Sequence, residues 1–178
     1  MVNIRTISVD NMILEHDKIT KVAFDDYKNS PLYEVTKPAK VEVNLRGDYQ
    51  KFNAALAIKT AKILGIADEK IFTALERVTW AGRFEIVDTK FGKVIIDGAH
   101  NPNGVRELGK CLEDYFPGMK FTFMCGVMAD KDYGSMLSTV APFANGFITV
   151  TPTSHRALES SALGKYIEER FHLPAEDR

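Results

Sequence analysis

Six consecutive residues, Asp97-Gly98-Ala99-His100-Asn101-Pro102, combine groups suited to holding a polar, anionic ligand. An aspartate at a strand end can accept hydrogen bonds from ribose hydroxyls. The imidazole of His100 is placed to contact an anionic or carbonyl group. Asn101 can cap a helix, and Pro102 suits the first turn of one, whose free N–H groups attract anions. The same six residues would also make an ordinary capped strand-to-helix turn. Arg83, between Gly82 and Phe84, is the second candidate, because a guanidinium fork matches phosphate oxygens. The third is Asn53, whose amide can pair with the N6/N7 edge of adenine. Taken singly, Arg83 also reads as a surface arginine and Asn53 as a polar residue at a helix start. Arg156, after His155, can grip a substrate carboxylate or sit in a solvated loop. The acidic-basic-acidic turn Asp130-Lys131-Asp132 is expected to cap the helix after it rather than line a site.

Other chemistries are missing. Gly92-Lys93, Gly109-Lys110 and Gly164-Lys165 are followed by Val, Cys and Tyr, so none completes a G-x-x-x-x-G-K-[ST] phosphate loop. There is no GxGxxG and no G-x-S-x-G nucleophile turn. The four histidines show no metal-ligand spacing, so no metal-binding residues are assigned. These 178 residues do not carry a full catalytic apparatus.

The elements that must position the candidates follow from hydrophobic rhythm. Up to about Leu45 the chain reads as short strands and turns, with Val41, Val43 and Leu45 alternating with polar residues and turns at Asn29-Ser30-Pro31 and Lys37-Pro38. A helix is expected from Gln50 to Leu64, carrying Phe52, Leu56, Ile63 and several alanines, with Gly65 as its stop. A second runs from about Asp68, a plausible N-cap, to Arg77. After Trp80-Ala81-Gly82-Arg83 the rhythm becomes strand, helix, strand, helix, strand, helix. The strands are Lys93–Asp97, Phe121–Cys125 and Phe147–Val150, the first read as short and buried. Helices are expected at Asn103–Phe116, around Tyr133–Val140 and around Leu163–Phe171. Apolar strands alternating with helices predict an α/β fold, a Rossmann-like parallel sheet with helices on both faces. Two units are expected, 1–79 and 80–178, with the sheet's last strand not reached by Arg178 and the second unit therefore truncated.

Composition narrows the partners. Lys plus Arg total 23 and Asp plus Glu 24, giving a net charge of -1 and no global field for nucleic acid or an anionic membrane. No apolar stretch approaches the ~18–20 residues of a membrane helix. The start MVNIRTISVDNMILEHD is not expected to act as a signal peptide. Two cysteines, Cys111 and Cys125, make no disulfide framework and fit a reducing compartment. A cytoplasmic monomer is expected.

Taken together, the motifs resemble a known family. Leu45 to Ala55, LRGDYQKFNAA, is similar to the L-x-G-x-H-Q-x-x-N-A-x element of folylpolyglutamate synthases, with Tyr49 in place of the usual His. Trp80 to Glu85, WAGRFE, resembles their W-P-G-R-x-E, with Ala81 replacing Pro. VIIDGAHNP, Val94 to Pro102, is close to their most diagnostic stretch, and GVMADKD, Gly126 to Asp132, resembles their G-x-x-x-D-K-D. His155 stands where the family often has Pro before Arg-Ala-Leu. These synthases, some of which are also dihydrofolate synthases, belong to the Mur ligase superfamily of three-domain, ATP-dependent amide-forming enzymes.

The resemblance implies that 1–79 is the C-terminal part of a Mur-ligase-like central ATP-binding domain and 80–178 the glutamate ligase domain. ATP would phosphorylate a folate carboxylate, and L-glutamate would attack the acyl phosphate. Asn53 would contact adenine, Arg83 the phosphates of ATP and Asp97 the ribose, with the three gathered around one nucleotide. His100 would stand near the incoming glutamate, as catalytic and substrate-binding residue, and Arg156 would bind substrate. The phosphate loop, the Mg2+ ligands and the groove for tetrahydrofolate or dihydropteroate would lie outside this chain, which alone would be inactive. Two alternatives stand beside this: a peptidoglycan Mur-type amino-acid ligase, and a non-catalytic Rossmann-like nucleotide-binding or interaction module.

Overall fold

The computed structural model describes residues 5–8, 40–90 and 92–178. The turns expected at Asn29-Ser30-Pro31 and Lys37-Pro38 lie outside the described residues. The chain divides into two compact units after Arg83, which leaves Trp80 to Arg83 with the first.

In the first unit, β1 (Arg5–Ser8) pairs antiparallel with β2 (Lys40–Val43), Ile7 opposite Val41. Helix α1 (Gln50–Ile63) ends just before Gly65, whose φ of 75° suits a glycine. Helix α2 spans Asp68–Arg77; its N-cap is Ala67, and Asp68 falls in the first turn, where a carboxylate still favours the helix dipole. The buried face of α1 is its alanine face. Ala54, Ala55 and Ile58 join Val43 and Ile71 in the core, while Leu56 and Ile63 are 70% and 55% exposed. Small alanines let a helix lie close to its neighbours, so the face with less apolar volume is the one that packs. Asn44 ties β2 to α2: its N–H donates to the Leu75 carbonyl at 3.0 Å and its side-chain amide to the Val78 carbonyl at 3.2 Å.

In the second unit the expected alternation is present, with one strand differently paired. β4 (Gly92–Ile96) forms an antiparallel hairpin with β3 (Glu85–Thr89), Ile86 opposite Ile95, rather than joining the parallel sheet. Nor is it buried, since Val94 and Ile96 are both nearly half exposed. A run of β-branched residues marks a strand, but its partner is chosen by tertiary structure. The parallel sheet has the order β5-β6-β7, from β5 (Phe121–Cys125), β6 (Ala144–Thr149) and β7 (Ala175–Asp177). β7 corrects the expectation that no further strand appears before Arg178. Three residues behind Pro174, two of them acidic, are too few for an alternation signal, and the strand is identified by pairing Phe147, Ile148 and Thr149 with Ala175, Glu176 and Asp177.

Helices α3 (Pro102–Tyr115), α4 (Tyr133–Val140) and α5 (Ser160–Phe171) complete an α/β unit. Val105, Met136, Leu137, Val140, Phe147, Leu163 and Ile167 share one core. Leu163 and Ile167 have no exposed surface at all. Thr149, equally buried, donates its hydroxyl hydrogen to the Ser160 carbonyl at 2.9 Å and so ties the end of β6 to the start of α5.

Candidate functional site

The first unit contains a cavity of about 400 Å³, within the range of small-ligand pockets. Asn53 and Arg83 both line it, with Tyr49, Gln50 and Trp80, over an apolar floor that includes Val43 and Leu75. Asn53 stands in the opening turns of α1, and its amide donates to Gln50 Oε1 at 3.0 Å. That bond orients the Asn53 side chain and leaves its carbonyl oxygen and second amide hydrogen for a ligand. Arg83 is set by a tight turn, in which its own N–H donates to the Trp80 carbonyl at 3.3 Å. Gly82 is the third residue of that turn, with φ 70°, the positive angle a type II turn demands there. Residue type and spacing alone do not mark Tyr49 and Trp80 as lining residues. The signal for Trp80 was its place three residues before Arg83.

The second unit carries Asp97 and His100 on the turn between β4 and α3. Both Asp97 oxygens accept backbone N–H groups, Oδ2 from Phe84 and Oδ1 from Ala99, each at 2.8 Å. Phe84 is fully buried with φ 46°, an uncommon conformation for an aromatic residue, and the Asp97 bond helps hold it there. Asp97 therefore builds the turn. Each of its oxygens keeps a second lone pair for a hydroxyl donor. His100 is exposed, with Nδ1 2.9 Å from the Gly98 carbonyl. A carbonyl only accepts, so Nδ1 carries the hydrogen and Nε2 is presented outward. Asn101 caps α3 as expected, its Oδ1 accepting from Gly104 N–H at 2.8 Å with Pro102 at the first helical position.

At the carboxyl ends of β5 and β6 two loops run side by side. Gly126 has no room for a side chain: a Cβ there would lie 2.5 Å from the Val150 carbonyl oxygen. Ala129 N–H donates to the Arg156 carbonyl at 2.8 Å, Leu158 N–H to the Val127 carbonyl at 2.9 Å, and Met128 and Ala157 form an antiparallel bridge. Arg156 Nη2 donates to Asp130 Oδ2 at 2.5 Å. That hydrogen bond holds the Asp130 carboxyl below the usual carboxylate range. Asp132 accepts from Ser135 N–H at 3.1 Å as the N-cap of α4, and hydrogen bonds from the Ser135 side chain and then its backbone lower its pKa too. Capping thus falls to Asp132, while Asp130 turns to Arg156. Cys125 ends β5, and burial pushes its thiol up to about 11, so it is no thiolate nucleophile near neutral pH.

Asn53 and Arg83 are thus brought to one cavity, Asp97 and His100 to one turn, and Arg156 to a loop pair beside Asp130. Among the described residues, no three His, Cys, Asp or Glu side chains group as a metal site. None of the described helices is long and apolar enough to cross a membrane.

Comparison with known proteins bears on what this frame does. Residues 82–177 match the family "Mur ligase, glutamate ligase domain". A folylpolyglutamate synthase of Lacticaseibacillus casei is 37% identical over 74% of this chain and 32% of its own. A UDP-N-acetylmuramoyl-L-alanyl-D-glutamate--2,6-diaminopimelate ligase of Caldanaerobacter subterraneus is 33% identical over 75% of this chain and 28% of its own. Among solved structures, Mycobacterium tuberculosis folylpolyglutamate synthase complexed with ADP is similar with a TM-score of 0.64 and 28% identity, over 78% of this chain and 32% of that one. The chain spans about a third of the length of these relatives. With more than half its residues inside the matched domain, and the turns and parallel sheet described above, the chain belongs to the Mur ligase family through its glutamate ligase domain.

Proposed function

We propose that this chain is part of an ATP-dependent ligase that joins L-glutamate to the glutamyl carboxylate of a folate. The observation that carries the reading is the shared cavity of Asn53 and Arg83, which puts an amide suited to a base edge and a guanidinium suited to phosphate on one lining. In this reading Asn53 holds the adenine edge and Arg83 the phosphates. Asp97 accepts from the ribose with the lone pairs its turn leaves over. His100 presents Nε2 toward the amine of the incoming glutamate. Mg2+ would supply charge neutralisation at the nucleotide phosphates, and its ligands would lie outside this chain. The folate carboxylate takes the γ-phosphoryl group and ADP leaves. The amine then attacks the acyl carbon, losing a proton, and phosphate departs. Phosphoryl transfer and aminolysis both profit from an arginine on developing negative charge and from positioning of the amine.

Trp80 gives a direct test, because it is the chain's one tryptophan and lines the cavity. Titration with MgADP should change its emission saturably. Arg83→Ala should weaken that binding roughly 10- to 100-fold, the worth of a charge-assisted contact. Emission unaffected by millimolar ADP would overturn the nucleotide assignment. The chain alone is expected to have no ligase activity, and glutamate-dependent ADP release from it would contradict that.

A second reading rests on the 33% identity to a diaminopimelate-adding ligase. It keeps the nucleotide roles and changes the amino acid. Binding of meso-diaminopimelate in preference to L-glutamate would favour it.

A further inference from the structure

The pairing of Arg156 with Asp130 links residues 26 positions apart. It gives a role to an acidic group otherwise surplus to helix capping, since Asp132 already fills the cap of α4. Three features set this ion pair apart from ordinary surface pairs, which contribute little because two long side chains must be ordered. Its backbones are already in register, through the Ala129–Arg156 and Val127–Leu158 hydrogen bonds and the Met128–Ala157 bridge. The two loops approach closely at Gly126 and Val150, where a Cβ on residue 126 would lie 2.5 Å from the Val150 carbonyl oxygen. Arg156 is further tied by its own N–H, which donates to Ser154 Oγ at 3.2 Å. The backbones that carry the pair are thus held in place, and only the two side chains remain to be ordered.

Among the described residues, only one edge of the guanidinium is spent. Nη2 meets Asp130, and Arg156 stays 48% exposed, so Nε–H and the Nη1 hydrogens remain available. A guanidinium holds its donors in one rigid plane, so a contact at one nitrogen restricts the directions open to the rest. We propose that Asp130 is a positioning residue that orients Arg156 so that its unspent donors receive a carboxylate of the incoming amino acid. The proposal rests on the reading of this chain as part of an amino-acid ligase. It adds that substrate recognition at this rim depends on two loops, not on Arg156 alone.

The experiment is a titration of the whole 178-residue chain with L-glutamate, followed by NMR of the backbone amides and of the Arg156 side-chain Nε–H. In the parent, L-glutamate should shift residues 126–132 and 151–159 together with Arg156 Nε–H. Asp130→Asn keeps the size and removes the charge. It should weaken L-glutamate roughly fivefold to tenfold, somewhat less than loss of a direct charged hydrogen bond. Asp130→Glu should restore at least part of the loss, which a merely structural defect would not allow. In the absence of ligand the Asp130→Asn amides outside the two loops should match the parent. Asp130→Asn binding as tightly as the parent, while Arg156→Ala does not bind, would overturn the positioning role and leave the ligase reading standing. Absence of any L-glutamate shift at the two loops in the parent would overturn both.

Discussion

The two units hold their candidate groups by different means. In the first, Asn53 and Arg83 are brought to one cavity because α1 packs its alanine face on β2 and α2, and a glycine-bearing turn delivers the arginine. Packed side chains build its frame, and single hydrogen bonds to Gln50 and Trp80 then orient Asn53 and Arg83 on it. In the second, Asp97, Asn101, Asp132 and the Asp130–Arg156 pair stand on turns at element ends and are held by individual hydrogen bonds. A packed wall is stiff and fails when volume is removed. A hydrogen-bonded turn fails one bond at a time, each worth about 1 kcal/mol. The first arrangement suits a flat base that needs a shaped slot. The second suits charged groups that must be aimed.

The largest expected effects test the packed parts. Leu163→Ala should cost the second unit about 3–5 kcal/mol, and Ile58→Ala should cost the first a comparable amount, both read by denaturant unfolding. Should Ile58→Ala leave MgADP binding untouched, packing would not be what shapes the Asn53 cavity. Gly126→Ala should come next, at roughly 2 kcal/mol, because its methyl must displace backbone at Val150. The same variant should broaden or shift the Arg156 Nε–H signal. Asn101→Ala should cost about 1 kcal/mol through loss of the α3 cap, with fraying of α3 visible in amide exchange.

The smallest effect separates charge from hydrogen bonding in the turns. The folded Asp132 carboxyl titrates below its ordinary value of 3.8, chiefly because of its Ser135 hydrogen bonds. The unfolded state therefore takes up the proton first. The stabilisation is present above pH 3.8 and is lost as the pH falls through the lower folded value. Asp132→Asn keeps a competent cap and removes the titration. Its acid unfolding profile should be flatter below pH 3.8, with stability at neutral pH nearly unchanged.

Much of this was legible in order of types. Asn101-Pro102 announced a helix start because both residues act through local geometry, within three or four positions of themselves. The α3, α4 and α5 faces and the strands at β5 and β6 followed from apolar spacing. The exposure of Leu56 and Ile63 is not legible in sequence, since an apolar residue does not say which neighbour covers it. β7 was invisible because three residues carry no period. Asp130 was read with its sequence neighbour Asp132 as a cap, and its actual partner lies on another loop.

Taken alone, the amino-acid order determined that the chain is α/β, which residues begin its helices, and which side chains have chemistry suited to a nucleotide and a carboxylate. Those properties are local, set by rotamers, propensity and the donors each side chain carries. Only the tertiary structure decided that β4 pairs back on β3, that Asn53 and Arg83 line one cavity, that Asp97 spends its first lone pairs on Phe84 and Ala99, and that Arg156 answers to Asp130. Each is a contact between distant positions, and it exists only once burial has chosen which surfaces meet.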